Sequence, residues 1–173
     1  ISAQYDKAIN DKPGYEYQDL IWTVLTGTDN SVHQGIINDL KLVPGVLDVQ
    51  VSYTLPLESS SGNNVYMLDN GQENLFNIAD QYCGSAGLFE MLEIPFIEGR
   101  YPQNADEIAV SESFVKQMME FRDWSDGAVG KQVHITEHDE DHGAFTISGV
   151  YKDYRINTLT NQDMRASIKF FGE

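Results

Sequence analysis

The alternation of apolar and polar positions divides the first third of the chain into a strand, a helix and a second strand. Residues 17–26 are apolar on both faces in their middle, which is typical of an interior strand. Residues 27–31 supply N-cap chemistry, and Pro44 with Gly45 stops the helix that follows. The apolar residues at helical spacing are Val32, Ile36, Ile37, Leu40 and Val43. Residues 47–55 alternate with a period of two, which predicts a half-buried strand.

The middle of the chain is predicted to be rich in short strands. A polar loop at 58–64 separates it from the first third. Strand-like segments follow at 65–68 and 75–82, and later at 94–97 and 107–110. The middle therefore reads as a β-rich region.

Two short helices interrupt these strands. The first is predicted over residues 85–93, and the second begins after Ser111, whose hydroxyl is suited to cap it. Each helix has apolar residues that are predicted to face the core. They are Leu88, Phe89 and Leu92 in the first helix, and Phe114, Val115, Met118 and Met119 in the second.

The last third is predicted to form a hairpin and one more strand. Turns at 126–131 lead into two segments of alternating polarity, 132–135 and 145–151, which an acidic loop connects. Residues 165–171 can form a further strand. The whole pattern predicts an α+β fold with a mixed sheet and strand-helix-strand units. A doubly wound α/β fold is disfavoured because only the first third alternates regularly between strand and helix.

Composition narrows the classes of partner. A chain of 173 residues fits one domain or two small lobes. Its net charge of −16 opposes binding to nucleic acid and to anionic lipid, because both need clustered Lys and Arg. Cys83 is the only cysteine, so an intrachain disulfide is impossible and a buried apolar role is favoured. No apolar run approaches the roughly 20 residues that a bilayer span requires.

The acidic loop is the densest set of potential metal ligands in the sequence. It contains Glu137, His138, Asp139, Glu140, Asp141 and His142. Its two histidines at i and i+4 would meet on a helix, but the loop lies between two predicted strands. It also lacks the glycine and the final acidic residue of a calcium loop. A solvated hairpin tip is favoured, with opportunistic metal binding as the alternative.

Other candidate chemistry is similarly weak. The serines at 59–61 lack a nucleophile-elbow pattern, and 84–87 lacks the spacing of a phosphate-binding loop. Tyr151 and Lys152 are predicted to face opposite sides of a strand, while Asp153 is placed to cap the turn that follows. The histidines, on a helix or around one hairpin, are His33, His134, His138 and His142. We therefore predict no catalytic, cofactor-binding or metal-binding residue, and no enzymatic activity.

Several segments follow one another in a specific order over nearly the whole chain. They are LVPGV (42–46), LPL (55–57), NIAD (77–80), FxxLxIPxxEGR (89–100), EIAVSESF (107–114), GKQV (130–133) and FTISGVYKD (145–153). Gly99 and Gly130 are predicted to supply unusual backbone angles, and Gly149 in a strand predicts close approach of another element. In this order the segments resemble the MacB-type periplasmic core domain of FtsX-like ABC transporter permeases, in its Bacteroides-like versions.

The resemblance implies a non-catalytic domain that stands in the periplasm, on a permease of the cell inner membrane. It implies coupling of ATP binding by a cytoplasmic ATPase to motion outside, and substrate export or work on periplasmic partners. The implied partners are the transmembrane helices of the same permease, a second permease copy, the ATPase subunit and a periplasmic adaptor. No catalytic residue and no cofactor belongs to this domain in the family.

The resemblance also implies an organisation. Residues 1–173 would form a single domain, with one lobe built from 17–57 plus 145–171 and a second from 58–144. The start at Ile1 indicates a fragment of a longer protein. One transmembrane helix is expected before it and three after it.

Two alternatives stay open from the residues alone. A free-standing secreted or periplasmic module could bind a peptide or glycan through exposed aromatics among the nine tyrosines. A small hydrolase could use the acidic loop with a metal, through His138 and His142.

Overall fold

The computed structural model describes residues 12–26, 29–52, 65–68, 74–76, 80–82, 84–137, 140–155 and 166–170. The helices in these ranges are α1 (Asn30–Lys41), α2 (Leu88–Met91) and α3 (Glu112–Met118). The strands are β1 (Val65–Leu68), β2 (Asn74–Phe76), β3 (Asp80–Tyr82), β4 (Phe96–Gly99), β5 (Glu107–Ser111), β6 (Gln132–Glu137), β7 (Glu140–Tyr151) and β8 (Ser167–Phe170).

The strands form one sheet in the order β2-β1-β6-β7-β5-β8-β3, with β4 paired to β7 as well. The pairs β5–β7 and β3–β8 are parallel and the other pairs are antiparallel. A mixed sheet with helices confirms the predicted α+β class. The predicted segments at 65–68, 94–97, 107–110, 132–135, 145–151 and 165–171 all contain a strand.

Strand β7 organises the sheet because its 12 residues are long enough to pair with three strands. The antiparallel neighbour β6 follows its first half, from Glu140 to Thr146. The parallel neighbour β5 runs along its other edge from Thr146 to Tyr151. Strand β4 pairs with the same second half, with Gly99 opposite Gly149, and so occupies the edge that β6 leaves.

The sheet buries apolar side chains on both faces. Ile108 and Val110 of β5 belong to one buried cluster, together with Phe114 and Met118 of α3. Ala109 lies between them in sequence and belongs to a second cluster, which includes Leu88 and Phe89 of α2. Successive strand side chains point to opposite faces, so the two helices cover opposite sides of the sheet. Burial of one side chain as large as Phe contributes roughly 1.5–3 kcal/mol.

Both predicted helix caps are confirmed. The Asp29 carboxylate accepts a hydrogen bond from the Ser31 backbone N–H at 2.9 Å, at the start of α1. The Ser111 hydroxyl accepts one from the Phe114 backbone N–H at 3.2 Å, at the start of α3. Each cap satisfies a backbone donor that the first helical turn leaves without an intrahelical partner.

The strand predicted at 17–26 is wrong. The structure has no strand there, and the side chain of Ile21 is 97% exposed. The strand predicted at 47–55 is wrong over its described part, where Leu47 is fully exposed and Ser52 makes a single bridge to Gly84. An apolar run forms a strand only where a second backbone supplies hydrogen bonds, and in the described residues the neighbours of β7 are β4, β5 and β6, all of which follow residue 55 in the sequence. Residues 53–55 lie outside the described residues.

The helices also differ in detail from their patterns. Of the apolar residues predicted to line α1, Ile37 is the buried one, so the predicted stripe does not face a core. Helix α2 is shorter than predicted, because residues 86–87 form a turn. Met119 is 52% exposed rather than inward-facing, because α3 ends at Met118 and Met119 is its C-cap. The other predicted core residues of α2 and α3 are buried or partly buried.

The segment predicted as one strand at 75–82 contains both β2 and β3, and residues 77–79 between them lie outside the described residues. The division into two lobes stays a prediction.

Candidate functional site

An open groove lies where β4, β5 and β7 meet the turn that precedes β6. Its volume is about 480 Å³. The residues that line it are Gly99, Arg100, Glu107, Val129, Gly130, Thr146, Ile147 and Ser148. Most of them belong to segments that carry the family resemblance: EGR, EIAVSESF, GKQV and FTISGVYKD.

The charged rim of the groove is an ion pair. The Arg100 guanidinium donates two hydrogen bonds to the Glu107 carboxylate, at 2.9 and 2.7 Å, and one to the Tyr101 carbonyl at 3.0 Å. The Gln103 backbone N–H donates a further bond to Glu107 at 2.8 Å. These donors, Arg100 first, lower the pKa of Glu107 to about 2. The pair joins the residue after β4 to the first residue of β5, and it therefore stabilises the turn between these strands.

The backbone shape beside this rim depends on two glycines. Gly99 has a φ of +68°, and a Cβ there would lie 2.2 Å from the Ser148 carbonyl oxygen. A Cβ on Gly149 would lie 2.3 Å from the Arg100 carbonyl oxygen. Both distances are far below ordinary contact, so only glycine fits. The predicted backbone angle at Gly99 and the predicted close approach at Gly149 are therefore confirmed.

The turn on the other side of the groove is fixed by a carboxylate and by glycine geometry. The Glu98 side chain accepts hydrogen bonds from the backbone N–H groups of Ala128 at 3.4 Å and Val129 at 3.3 Å. Gly127 and Gly130 in this turn have φ of +103° and +85°. The predicted turn at 126–131 is confirmed, with the predicted backbone angle at Gly130.

The polar residues at the end of β7 have structural partners. The Asp153 carboxylate accepts a hydrogen bond from the Ser113 backbone N–H at 2.9 Å and one from its hydroxyl at 2.5 Å. In the described residues Asp153 binds the start of α3. Residues 156–165 lie outside the described residues, so the capping of the following turn by Asp153 stays a prediction. The Tyr151 hydroxyl is buried against that of Ser167 at 2.7 Å, while Lys152 is exposed. The two neighbours thus face opposite sides, as predicted.

The described aromatic residues pack mainly on one another. The rings of Phe89 and Tyr151 meet edge to face with centroids 4.9 Å apart, and Tyr15 and Tyr154 do so at 6.0 Å. Partial burial, with a smaller effect of neighbouring Tyr17, raises the pKa of Tyr15 to about 12. These rings belong to the buried cluster on the α2 face of the sheet or pack against it. None of the residues that line the groove is aromatic.

The metal candidates of the sequence do not assemble in the described residues. His33 lies in α1 and His134 in β6, on separate elements. No group of three or more His, Cys, Asp or Glu side chains there could hold a metal ion. Glu137 of β6 pairs with Glu140 of β7, and residues 138–139 between them lie outside the described residues. His138, and the side chain of His142, lie outside the described residues.

Residues 84–87, which lack the spacing of a phosphate-binding loop, pack against residues 50–52. Gly84 bridges to Ser52, and the Ser85 hydroxyl contacts the Gln50 amide oxygen at 2.5 Å. A Cβ on Gly87 would lie 2.4 Å from the Gln50 side chain. These contacts attach residues 50–52 to the start of α2. The serines at 59–61 and Cys83 lie outside the described residues.

Sequence reasoning missed the groove and its ion pair. Arg100 follows β4 and Glu107 begins β5, so their contact depends on the path of the turn between the two strands, which a polarity pattern does not show. Glycine at position 99 was the available signal, since it marks a sharp change of direction just before Arg100.

A second unusual feature is the N-terminal apolar segment, which we define as residues 20–24 and 42–47. Its most exposed side chains are Leu47, Ile21, Leu42 and Val24, at 100, 97, 81 and 68%. Trp22 is 57% exposed. None of the helices in the described ranges has the length and apolar character to cross a bilayer.

Comparison with known proteins gives structural similarity without a sequence match. No protein-family model and no curated protein matches the chain. A domain of a protein designated a permease, from Porphyromonas gingivalis, is similar at 17% identity and a TM-score of 0.48, over 79% of this chain. The periplasmic region of MacB from Actinobacillus actinomycetemcomitans is similar at 16% identity and a TM-score of 0.47, over 78% of this chain.

A third similar structure is the extracellular domain of the ABC-type transporter YknZ from Gram-positive bacteria. Its identity is 14% and its TM-score 0.48, over 80% of this chain. The chain spans 50% of the length of the first of these structures and 61% of the other two.

Proposed function

We propose that this chain is a non-catalytic extracytoplasmic domain of an ABC transporter permease. The observation that carries the proposal is the ordered set of segments, from LVPGV to FTISGVYKD, that resembles the MacB-type periplasmic core domain. In the described residues these segments contribute β4, β5 and the second half of β7, the strands that meet at the groove. Gly99 and Gly149 of these segments lie where a Cβ would overlap a backbone carbonyl oxygen. The resemblance therefore rests on residues that shape the fold.

The surroundings of the polar groups support a non-catalytic role. Glu107, whose pKa is lowered to about 2, accepts hydrogen bonds from the Arg100 guanidinium and from the Gln103 backbone N–H. The Asp153 carboxylate accepts hydrogen bonds from the backbone N–H and the hydroxyl of Ser113, at the start of α3. Both arrangements serve backbone geometry, in contrast to a nucleophile held beside a base.

The mechanism that we propose is coupling. ATP binding and hydrolysis by a cytoplasmic ATPase subunit would move the transmembrane helices, and this domain would transmit the motion to exported substrate or to a periplasmic adaptor. A second permease copy would complete the assembly. A mixed sheet that is covered on both faces is suited to transmit motion, because a close-packed core moves as a rigid body and deforms little.

The first test is the coding sequence around the chain. The proposal predicts one apolar span of about 20 residues before residue 1 and three after residue 173. A cleavable signal peptide and no spans would instead support a free-standing binding module.

The second test measures the side of the membrane directly, in the full-length protein. Cys83→Ala removes the only cysteine of this chain, and Lys152→Cys then places a thiol at an exposed position of the described residues. A membrane-impermeant maleimide should label this thiol in intact spheroplasts. Ala166→Cys is the matched control, because residue 166 is 5% exposed and should be labelled only after unfolding. Labelling of the Lys152→Cys protein only after permeabilisation would place the domain inside the cell and overturn the proposal.

The coupling itself needs a separate measurement. A spin label on the same Lys152→Cys thiol, in the purified permease–ATPase assembly, reports the distance between two copies. We expect this distance to differ between the ATP-bound and nucleotide-free states. An identical distance in both states would refute the transmission of motion through this domain and leave its topology intact.

A further inference from the structure

We draw no further inference here: the strongest candidate, the N-terminal apolar segment on either side of helix α1, carries nothing because nothing in the structure shows what covers it.

Discussion

Replacement of Gly149 by alanine is expected to destabilise the centre of the sheet. A Cβ at this position would lie 2.3 Å from the Arg100 carbonyl oxygen, 2.7 Å from the Arg100 backbone nitrogen and 2.8 Å from a ring carbon of Phe96. The two nearest atoms belong to the backbone, so they cannot rotate away as a flexible side chain could. Accommodation requires that β4 and the turn after it move away from β7.

The magnitude follows from two contributions. Overpacking a close-packed site costs about 1–3 kcal/mol. Movement of the turn also stretches the hydrogen bond from the Arg100 backbone N–H to the Ser148 carbonyl, now 2.9 Å long. One such bond contributes about 1 kcal/mol net. The variant should therefore unfold with a free energy about 2–4 kcal/mol lower than the native protein.

Urea unfolding followed by tryptophan fluorescence measures this difference. Trp124 is 7% exposed and belongs to the buried cluster under α3, whereas Trp22 is 57% exposed, so the change in emission reports mainly the core. With a dependence of about 2 kcal/mol per molar urea, the midpoint should fall by about 1–2 M. The slope of the transition should stay the same, because the variant exposes similar surface on unfolding.

Gly35→Ala is the matched control. Gly35 lies inside α1, and a Cβ there meets no atom within 4 Å. Alanine favours helix over glycine by up to about 1 kcal/mol, so this midpoint should stay equal or rise slightly. A Gly149→Ala protein whose midpoint matches the native one would refute the close approach of β4 to β7. Insoluble Gly149→Ala beside soluble Gly35→Ala would agree with it.

Three further substitutions test single contacts. Glu107→Gln should lower stability at neutral pH but not at low pH. Arg100 lowers the pKa of Glu107 to about 2, so the ion pair stabilises fully above the unfolded-state pKa, and its effect fades as pH falls toward 2. Urea midpoints of native and variant protein should then converge at low pH. Tyr15→Phe should remove one late step near pH 12 from the spectroscopic tyrosine titration, because burial raises the pKa of Tyr15. The stability that the neutral form of Tyr15 provides is lost between about pH 10 and 12. Asp153→Ala should cost about 1–2 kcal/mol in urea unfolding, because it removes both bonds to Ser113.

Each of these substitutions has its own contrary outcome. A constant gap between the midpoints of native and Glu107→Gln protein at every pH would mean that the ion pair does not titrate as described. An unchanged high-pH titration in Tyr15→Phe would assign the late step to another tyrosine. Lys152→Ala is the control for Asp153→Ala, since exposed Lys152 should change stability by no more than about 0.5 kcal/mol. Equal losses in both variants would remove the special role of Asp153.

Local signals predicted much of the described fold correctly. The period-two pattern after residue 131 became β6 and β7, and the run at 107–110 became β5, which is buried from Ile108 to Ser111. Ser111 caps its helix as predicted, and Asp29, within the predicted capping segment 27–31, caps the other. These features depend on residues close together in the chain, so the sequence carries their determinants directly.

The strand prediction at 17–26, and the one at 47–55 over its described part, failed for a physical reason. An apolar or alternating run states that a segment can pair, but a strand exists only when a second backbone supplies the hydrogen bonds. In the described residues β7 pairs with β4, β5 and β6, which all follow the two failed segments in the sequence. The neighbours of a strand are chosen by competition across the whole chain, and polarity patterns do not record that competition.

The sequence by itself therefore determined the fold class, the caps, the turns and the positions where only glycine fits. It also determined the net charge of −16, which argues against nucleic acid as a partner. Only the tertiary structure decided that Arg100 meets Glu107, that Asp153 serves α3, and that the early apolar segments lie exposed. The reason is the range of the interaction: caps and periodicity act within a few residues, whereas these contacts depend on which distant segments pack together.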